Sequence, residues 1–326
     1  MKLTAEAQSW PIAGTFTIAR GSKTSADVVL VTVTADDDRG QGECVPYPRY
    51  GETTESVLAQ INHARAEIEA GITPDKLVET MPAGAARNAV DAALIDLACK
   101  KSGQRAWQYF GLAQPMPKPT CFTISLDTPA AMAAAAIAAH GRPLLKLKLG
   151  RDRDDVARVR AVRDVLPGVR LVVDANEGWS MDDLTFMAPA MAAMGVEMIE
   201  QPLPAGADDP LSGYRSPVPL CADESAHGLE SLPLVASRYK AINLKLDKTG
   251  GLTNALRVAR AARKAELSIM LGCMVGTSLS MAPATILLDF ASIVDLDGPL
   301  LLARDRMPQL AFNNSDVQLP EAALWG

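Results

Sequence analysis

Eight short apolar runs, rich in β-branched residues, begin near Cys121, Leu144, Leu171, Met198, Leu220, Ala241, Ile269 and Ile293. They are spaced by 23, 27, 27, 22, 21, 28 and 24 residues. A strand, a loop, a helix and a second loop consume about that length, and helical patterns such as 152–165 and 252–265 fill most of the intervals. Eight such units with parallel strands close into a (β/α)8-type barrel, a modified TIM barrel in the α/β class. The competing architecture is an open doubly wound sheet. It lacks its phosphate-binding signature here, because no GxGxxG follows the first strand of either region.

Residues 1–115 read differently, as a small α+β capping domain ahead of a barrel over 116–311. Two strand-like stretches, 14–18 and 28–33, flank Arg20-Gly21-Ser22-Lys23, which reads as a turn. A Pro- and Gly-rich loop over 44–51 precedes helical patterns over 54–69 and 84–101. Pro115, Pro117 and Pro119 mark the boundary, and a tail over about 312–326 is expected to pack back on the first domain.

Several function classes are excluded early. The net charge of −6 provides no basic surface for nucleic acid or an anionic membrane. The longest purely apolar run, Ala130 to Ala139, is too short to span a bilayer, and the N-terminus lacks the apolar core of a secretory signal. Five scattered cysteines without a CxxC pair fit a reducing cytoplasm better than a disulfide scaffold or a zinc site.

The chemistry lies where a barrel strand should be apolar. In Leu144-Leu145-Lys146-Leu147-Lys148-Leu149 the two lysines share one face and the intervening leucines the other. Leucines packed outward on helices put both ammonium groups inside the barrel, where a cation must be paired or neutralised. The next three strands end in Asp174, Glu200 and Asp223, one carboxylate per unit. Three convergent carboxylates repel one another unless a cation joins them, and a hard oxygen-liganded ion such as Mg²⁺ meets that need. His63, His140 and His227 lie outside these strand ends, against zinc or non-haem iron. The sixth strand places Lys245 and Asp247 on one inward face, where the two could also form a salt bridge. Strands two and six are opposite in an eight-membered ring, so Lys148 and Lys245 face each other across the pocket. That geometry takes a proton from one face of a carbon and returns it to the other. Neighbouring cations and partial burial are expected to lower the lysine pKa toward neutrality.

Together, KxK on strand two, carboxylates ending strands three to five and KxD on strand six resemble the muconate lactonising enzyme subgroup of the enolase superfamily. The resemblance covers essentially the whole chain. The eighth strand's Val294-Asp295-Leu296-Asp297-Gly298 is similar to the DxD of dipeptide epimerases. Residues 19–23, 42–52 and Gly272-Cys273-Met274 resemble bacterial L-Ala-D/L-Glu epimerases. The resemblance implies one Mg²⁺ per subunit on Asp174, Glu200 and Asp223. It makes Lys148 and Lys245 the acid/base pair, with Lys146 assisting. Asp295 and Asp297 would take the dipeptide ammonium, while Thr123 and Met274 line the pocket. Arg20 matches the capping-loop arginine that pairs with the substrate's side-chain carboxylate.

The implied activity is a 1,1-proton transfer at the C-terminal residue of a dipeptide, interconverting L-Ala-D-Glu and L-Ala-L-Glu, with a place in recycling cell-wall peptides. Subunit association is common in that superfamily. Other readings stay open: a cycloisomerase, o-succinylbenzoate synthase or N-acyl amino acid racemase of the same superfamily, a Schiff-base lyase using Lys146 or Lys148, and a non-catalytic binding barrel.

Overall fold

The N-terminal region is organised by an antiparallel sheet of β1 (Lys2–Ile18), β2 (Gly21–Ala35) and β3 (Asp38–Cys44) in a computed structural model that describes residues 1–150 and 152–326. The hairpin is far longer than the sequence pattern predicts. Only Ala19 and Arg20 form the turn, so Ser22 and Lys23 belong to β2, with Lys23 opposite Phe16. Pro11, Gly14 and scattered polar residues weaken the strand signal. Cross-strand pairing overrides that weakness, and the ladder shifts register between Pro11 and Phe16. Strand β3 has no apolar run because its glycines perform another task. A Cβ at Gly40 would lie 2.2 Å from the Ala93 carbonyl oxygen, and one at Gly42 2.2 Å from that of Ala89. The strand therefore presses directly on the backbone of helix Ala85–Ser102, which the sequence pattern predicts to within a residue at each end. The helical pattern over 54–69 resolves into two helices, Thr54–His63 and Arg65–Glu69, the first closed by a Thr53/Ser56 capping box.

A short strand, β4 (Lys118–Pro119), leads into the barrel. Its strands are β5 (Phe122–Ile124), β6 (Leu144–Lys148), β7 (Arg170–Asp174), β8 (Val196–Glu200), β9 (Leu220–Ala222), β10 (Ala241–Leu244), β11 (Ser268–Leu271) and β12 (Ile293–Val294). All pair in parallel and in sequence order. The ring closes where Cys121 N donates to the Val294 carbonyl at 2.7 Å, beside a parallel bridge from Thr120 to Val294. One inward residue per strand builds an apolar floor: Cys121, Leu144, Val172, Met198, Cys221, Ala241, Met270 and Ile293. Leu145, Leu147 and Leu149 point the other way, into the layer beneath helices such as Asp155–Val165 and Met181–Ala193. The crossover from β8 to β9 carries only a 3₁₀ turn, Asp209–Leu211. No helix among the described residues is long and apolar enough to cross a membrane.

The last strands, β13 (Phe312–Asn313) and β14 (Asp316–Val317), form a small sheet with β4. Beyond them the chain returns to helix Ala85–Ser102. The Trp325 indole, fully buried, donates to the Ala92 carbonyl at 3.0 Å, and Gly326 N donates to Asp96 at 2.8 Å. Trp325→Ala removes this plug and leaves a cavity, so equilibrium urea unfolding should register a loss of about 3 kcal/mol or more.

Candidate active site

Above the apolar floor the barrel interior turns charged, because the same inward parity continues along each strand. Ladder pairing sets Lys148 beside Asp174 and Asp174 beside Glu200, while Thr123 lies beside Lys146. Lys146 is 1% exposed and Lys148 8%, so both expected ammonium groups are inside. Adjacent strands are about 4.8 Å apart, which brings each lysine within reach of its neighbours' carboxylates.

These contacts are dense. Lys148 donates to Asp174 Oδ2 at 2.6 Å, and Lys146 donates to Asp295 Oδ2 at 2.8 Å. The Lys146 nitrogen also lies 2.6 Å from Glu200 Oε2 and 3.4 Å from Asp174. Lys245 donates to Asp223 Oδ2 at 2.7 Å. Burial alone would raise the Asp174 pKa, but the two lysines outweigh it and hold the group at about 2. Glu200 is buried beside that charge and is pushed up to about 7. Asp223 sits well below the usual carboxylate range, because Lys245 and Lys248 outweigh its burial. The same partners raise Lys146 and Lys245 well above an ordinary ammonium despite their burial. On these two, carboxylates dominate the field, and not the neighbouring cations from which a lowering is expected.

The sixth strand corrects a second expectation. Strand β10 ends at Leu244, Lys245 caps the short helix Leu246–Thr249, and Lys245 and Asp247 form no pair. Asp247 turns to the N-terminal domain, accepting from Val45 N at 3.2 Å and from Asn88 Nδ2 at 2.8 Å. The KxD spacing cannot reveal this, because strand alternation fails where the backbone begins to coil. Two further contributors lack a sequence signal of their own. Lys248, on that short helix, donates to Asp223 Oδ1 and to the Asp223 carbonyl, both at 2.6 Å, and to the Asn243 carbonyl at 2.9 Å. Asn243 donates to Glu200 Oε1 at 2.8 Å. Gly272 makes room for it: a Cβ there would lie 2.2 Å from Asn243 Oδ1.

The eighth strand's aspartates are both buried, yet they differ in partners. Asp295 faces Lys146, and its Oδ1 accepts no hydrogen bond. Asp297 accepts from Thr123 N at 2.6 Å, and burial beside Asp295 lifts it to about 7. Arg20 is heavily engaged. It donates to Glu224 at 2.6 Å, Glu177 at 3.1 Å, the Asn176 carbonyl at 2.8 Å and the Tyr47 hydroxyl at 3.2 Å. Sequence reasoning missed Glu177 and Glu224, which lie in the turns just past the ends of β7 and β9, outside the strand alternation.

A cavity of about 730 Å³ opens between the hairpin β1–β2, the 45–54 loop and the barrel mouth. Its wall includes Lys148, Asp223, Lys245, Arg20, Met274 and Cys273. Strands β6 and β10 are four apart in the closed ring of eight, so Lys148 and Lys245 approach this cavity from opposite sides. The donor set of Asp174, Glu200 and Asp223 is all hard oxygen, and Glu200 Oε2, buried 2.6 Å from the Lys146 ammonium, accepts no well-aligned hydrogen bond. This chemistry fits a hard divalent ion. Among the described residues no three His, Cys, Asp or Glu converge closely enough to hold one as they stand, their oxygens being directed to the lysines.

Relatives share this plan. Residues 1–111 match the mandelate racemase / muconate lactonizing enzyme N-terminal domain, and residues 129–322 match the enolase C-terminal domain-like family. An L-Ala-D/L-Glu epimerase of Escherichia coli K12 is 43% identical over 315 residues, covering 96% of this chain and 98% of that protein. An N-acetyl-D-glutamate racemase of a Pseudoalteromonas species is 43% identical over 302 residues, 91% of this chain and 95% of that one. A crystal structure of an enolase family member from Agrobacterium tumefaciens, with homology to dipeptide epimerases and holding sodium and L-Ala-L-Glu, superimposes with a TM-score of 0.97 at 49% identity over 99% of both chains. A barrel whose strand ends carry KxK and three successive carboxylates, capped by this N-terminal domain and matched along its length by these relatives, belongs to the enolase superfamily.

Proposed function

We propose that this chain is a Mg²⁺-dependent dipeptide epimerase, an isomerase that moves the α-proton of the C-terminal residue between the two faces of that carbon, with L-Ala-D-Glu and L-Ala-L-Glu as the substrate pair. The observation that carries the reading is the approach of Lys148 and Lys245 to one cavity from strands opposite in the ring. The likeness to an L-Ala-D/L-Glu epimerase and to a structure holding L-Ala-L-Glu supports the substrate class. Five free cysteines support a reducing compartment such as the cytoplasm.

A proton α to a carboxylate is very weakly acidic, because its removal leaves a planar dianion. Asp174, Glu200 and Asp223 would hold the ion, whose positive charge, when bound, offsets that dianion. Lys148 takes or returns the proton on one face and Lys245 on the other, each a general acid/base within reach of the same carbon. Both amines must shed their carboxylate partners, Asp174 and Asp223, to act, and these are among the residues that would hold the ion. Lys146, between Glu200, Asp174 and Asp295, keeps its charge and faces the developing negative charge. Asp295 and Asp297 receive the substrate ammonium, Asp297 held in place by Thr123 N. Met274 forms an apolar part of the wall. An N-acyl amino acid has no ammonium, so it leaves Asp297, which makes no salt bridge among the described residues, without a counter-charge, whereas Asp295 already faces Lys146. This favours a dipeptide over an N-acetylated amino acid, the substrate in the name of one relative.

In D₂O, Lys148→Ala and Lys245→Ala should each lower epimerisation of L-Ala-L-Glu by about 10³-fold or more. Each variant should keep α-deuteration, without inversion, of the one isomer whose C–H bond faces the remaining lysine. Single variants that epimerise both isomers at near wild-type rate contradict the two-amine mechanism. Chelation with EDTA should abolish turnover and Mg²⁺ should restore it. Activity that persists after exhaustive chelation contradicts the metal assignment.

A further inference from the structure

Lys148 and Lys245 are held in place by different parts of the molecule. Lys148 belongs to the β6–β7 ladder, opposite Asp174, so barrel strands fix its backbone. The β10–β11 ladder stops at Leu244, one residue short of Lys245. From there the chain coils into the short helix Leu246–Thr249, whose first turn closes on the Lys245 carbonyl through Lys248 N and Thr249 N, both at 3.1 Å.

The N-terminal domain grips this segment. Three residues of helix Ala85–Ser102 hold it at successive points. Arg87 donates to the Thr249 carbonyl at 2.7 Å and to the Gly250 carbonyl at 2.9 Å. Asn88 Nδ2 donates to Asp247 Oδ1 at 2.8 Å, and Asp91 accepts from Thr253 N at 3.1 Å. The fit leaves no slack, since a Cβ at Gly250 would lie 2.5 Å from Arg87 Nε and one at Gly251 2.5 Å from Asp91 Oδ2. Asp247 stands two residues after Lys245. The same Oδ1 accepts from Val45 N at 3.2 Å, in the 45–54 loop over the cavity.

A carboxylate at this place is unfavourable for packing alone. Among the described residues Asp247 makes no salt bridge, and the charged groups that bear on it, Glu43 of β3 and Glu52 of the 45–54 loop, are both acidic. An apolar side chain would be easier to bury. The carboxylate instead joins three segments through one oxygen: the short helix that follows Lys245, the capping helix and the cavity loop.

We propose that Asp247 is a positioning residue for Lys245, clasped by Asn88 and Val45 so that docking of the N-terminal domain sets this amine at its face of the substrate carbon, while the barrel's own ladder sets Lys148. This rests on the dipeptide epimerase reading.

The test follows initial loss of the α-proton in D₂O, separately from L-Ala-D-Glu and from L-Ala-L-Glu. Lys245→Ala identifies the isomer whose C–H bond faces Lys245, as the one that stops exchanging. Asp247→Ala should slow exchange of that isomer by about tenfold or more, through kcat rather than KM, and keep exchange of the other within about twofold of wild type. Asp247→Asn, which retains the oxygen acceptor, should restore most of the loss. Asn88→Ala removes the cap's donor and should move the same ratio in the same direction, and it carries the test if Asp247→Ala does not fold. Equal slowing of both isomers, or a ratio that neither variant moves, overturns the assignment and makes Asp247 a residue of stability only. A loss that Asp247→Asn does not restore also overturns it, since the effect then belongs to charge and not to position. Wild-type protein that exchanges neither isomer, or Lys245→Ala protein that exchanges both at wild-type rate, overturns the epimerase reading and the assignment with it.

Discussion

Everything at the mouth of this barrel depends on charge compensation between neighbouring strands. Two lysines on one face of β6 cannot be buried alone, since each unpaired cation would be unfavourable by several kcal/mol. Parallel, in-register pairing supplies the answer: Asp174 sits opposite Lys148, and Glu200 opposite Asp174. Asp223 follows on the loop after β9, where Lys245 and Lys248 converge on it. Three successive acids are therefore flanked by lysines on the strands either side, and the arrangement serves stability and chemistry together. The carboxylates that hold the lysines are the same hard-oxygen groups that would hold a divalent ion.

The second constraint is the seam between the capping region and the barrel. It is fastened with polar groups as well as apolar packing. Arg87 donates to the carbonyls of Thr249 and Gly250, Asp247 accepts from Val45 and Asn88, and Glu43 accepts from Thr277 and Arg306. Burial raises Asp247 to about 7, a sign of how dry this seam is. These contacts anchor the base of the hairpin and loop that roof the cavity, so the cavity wall on one domain is held in register with the buried lysines on the other.

Much of this was legible in the chain. The interval between apolar runs predicts the eight strands because a strand–loop–helix unit has a fixed length. The side-chain period of two predicts that Lys146, Lys148 and Asp174 face inward, because helices cover the outside. The length of the β1–β2 hairpin was not legible. Its pairing energy comes from partner strands rather than from local propensity, and so Lys23 read as a turn residue when it is a strand residue facing the cavity. Strand β3 was hidden for a related reason, its glycines being selected by contact with a helix about fifty residues away in sequence.

Sequence by itself determined the barrel, the inward charges and the oxygen chemistry of the acidic trio, because periodicity and side-chain chemistry are local properties. Only the tertiary structure decided the partners. It paired Lys245 with Asp223 instead of Asp247, brought Lys248 and Asn243 to the acidic trio, saturated Arg20 and turned Lys23 toward the cavity. Those outcomes depend on distances between segments tens to hundreds of residues apart, which closure of the ring and docking of the cap set, and which no local pattern encodes.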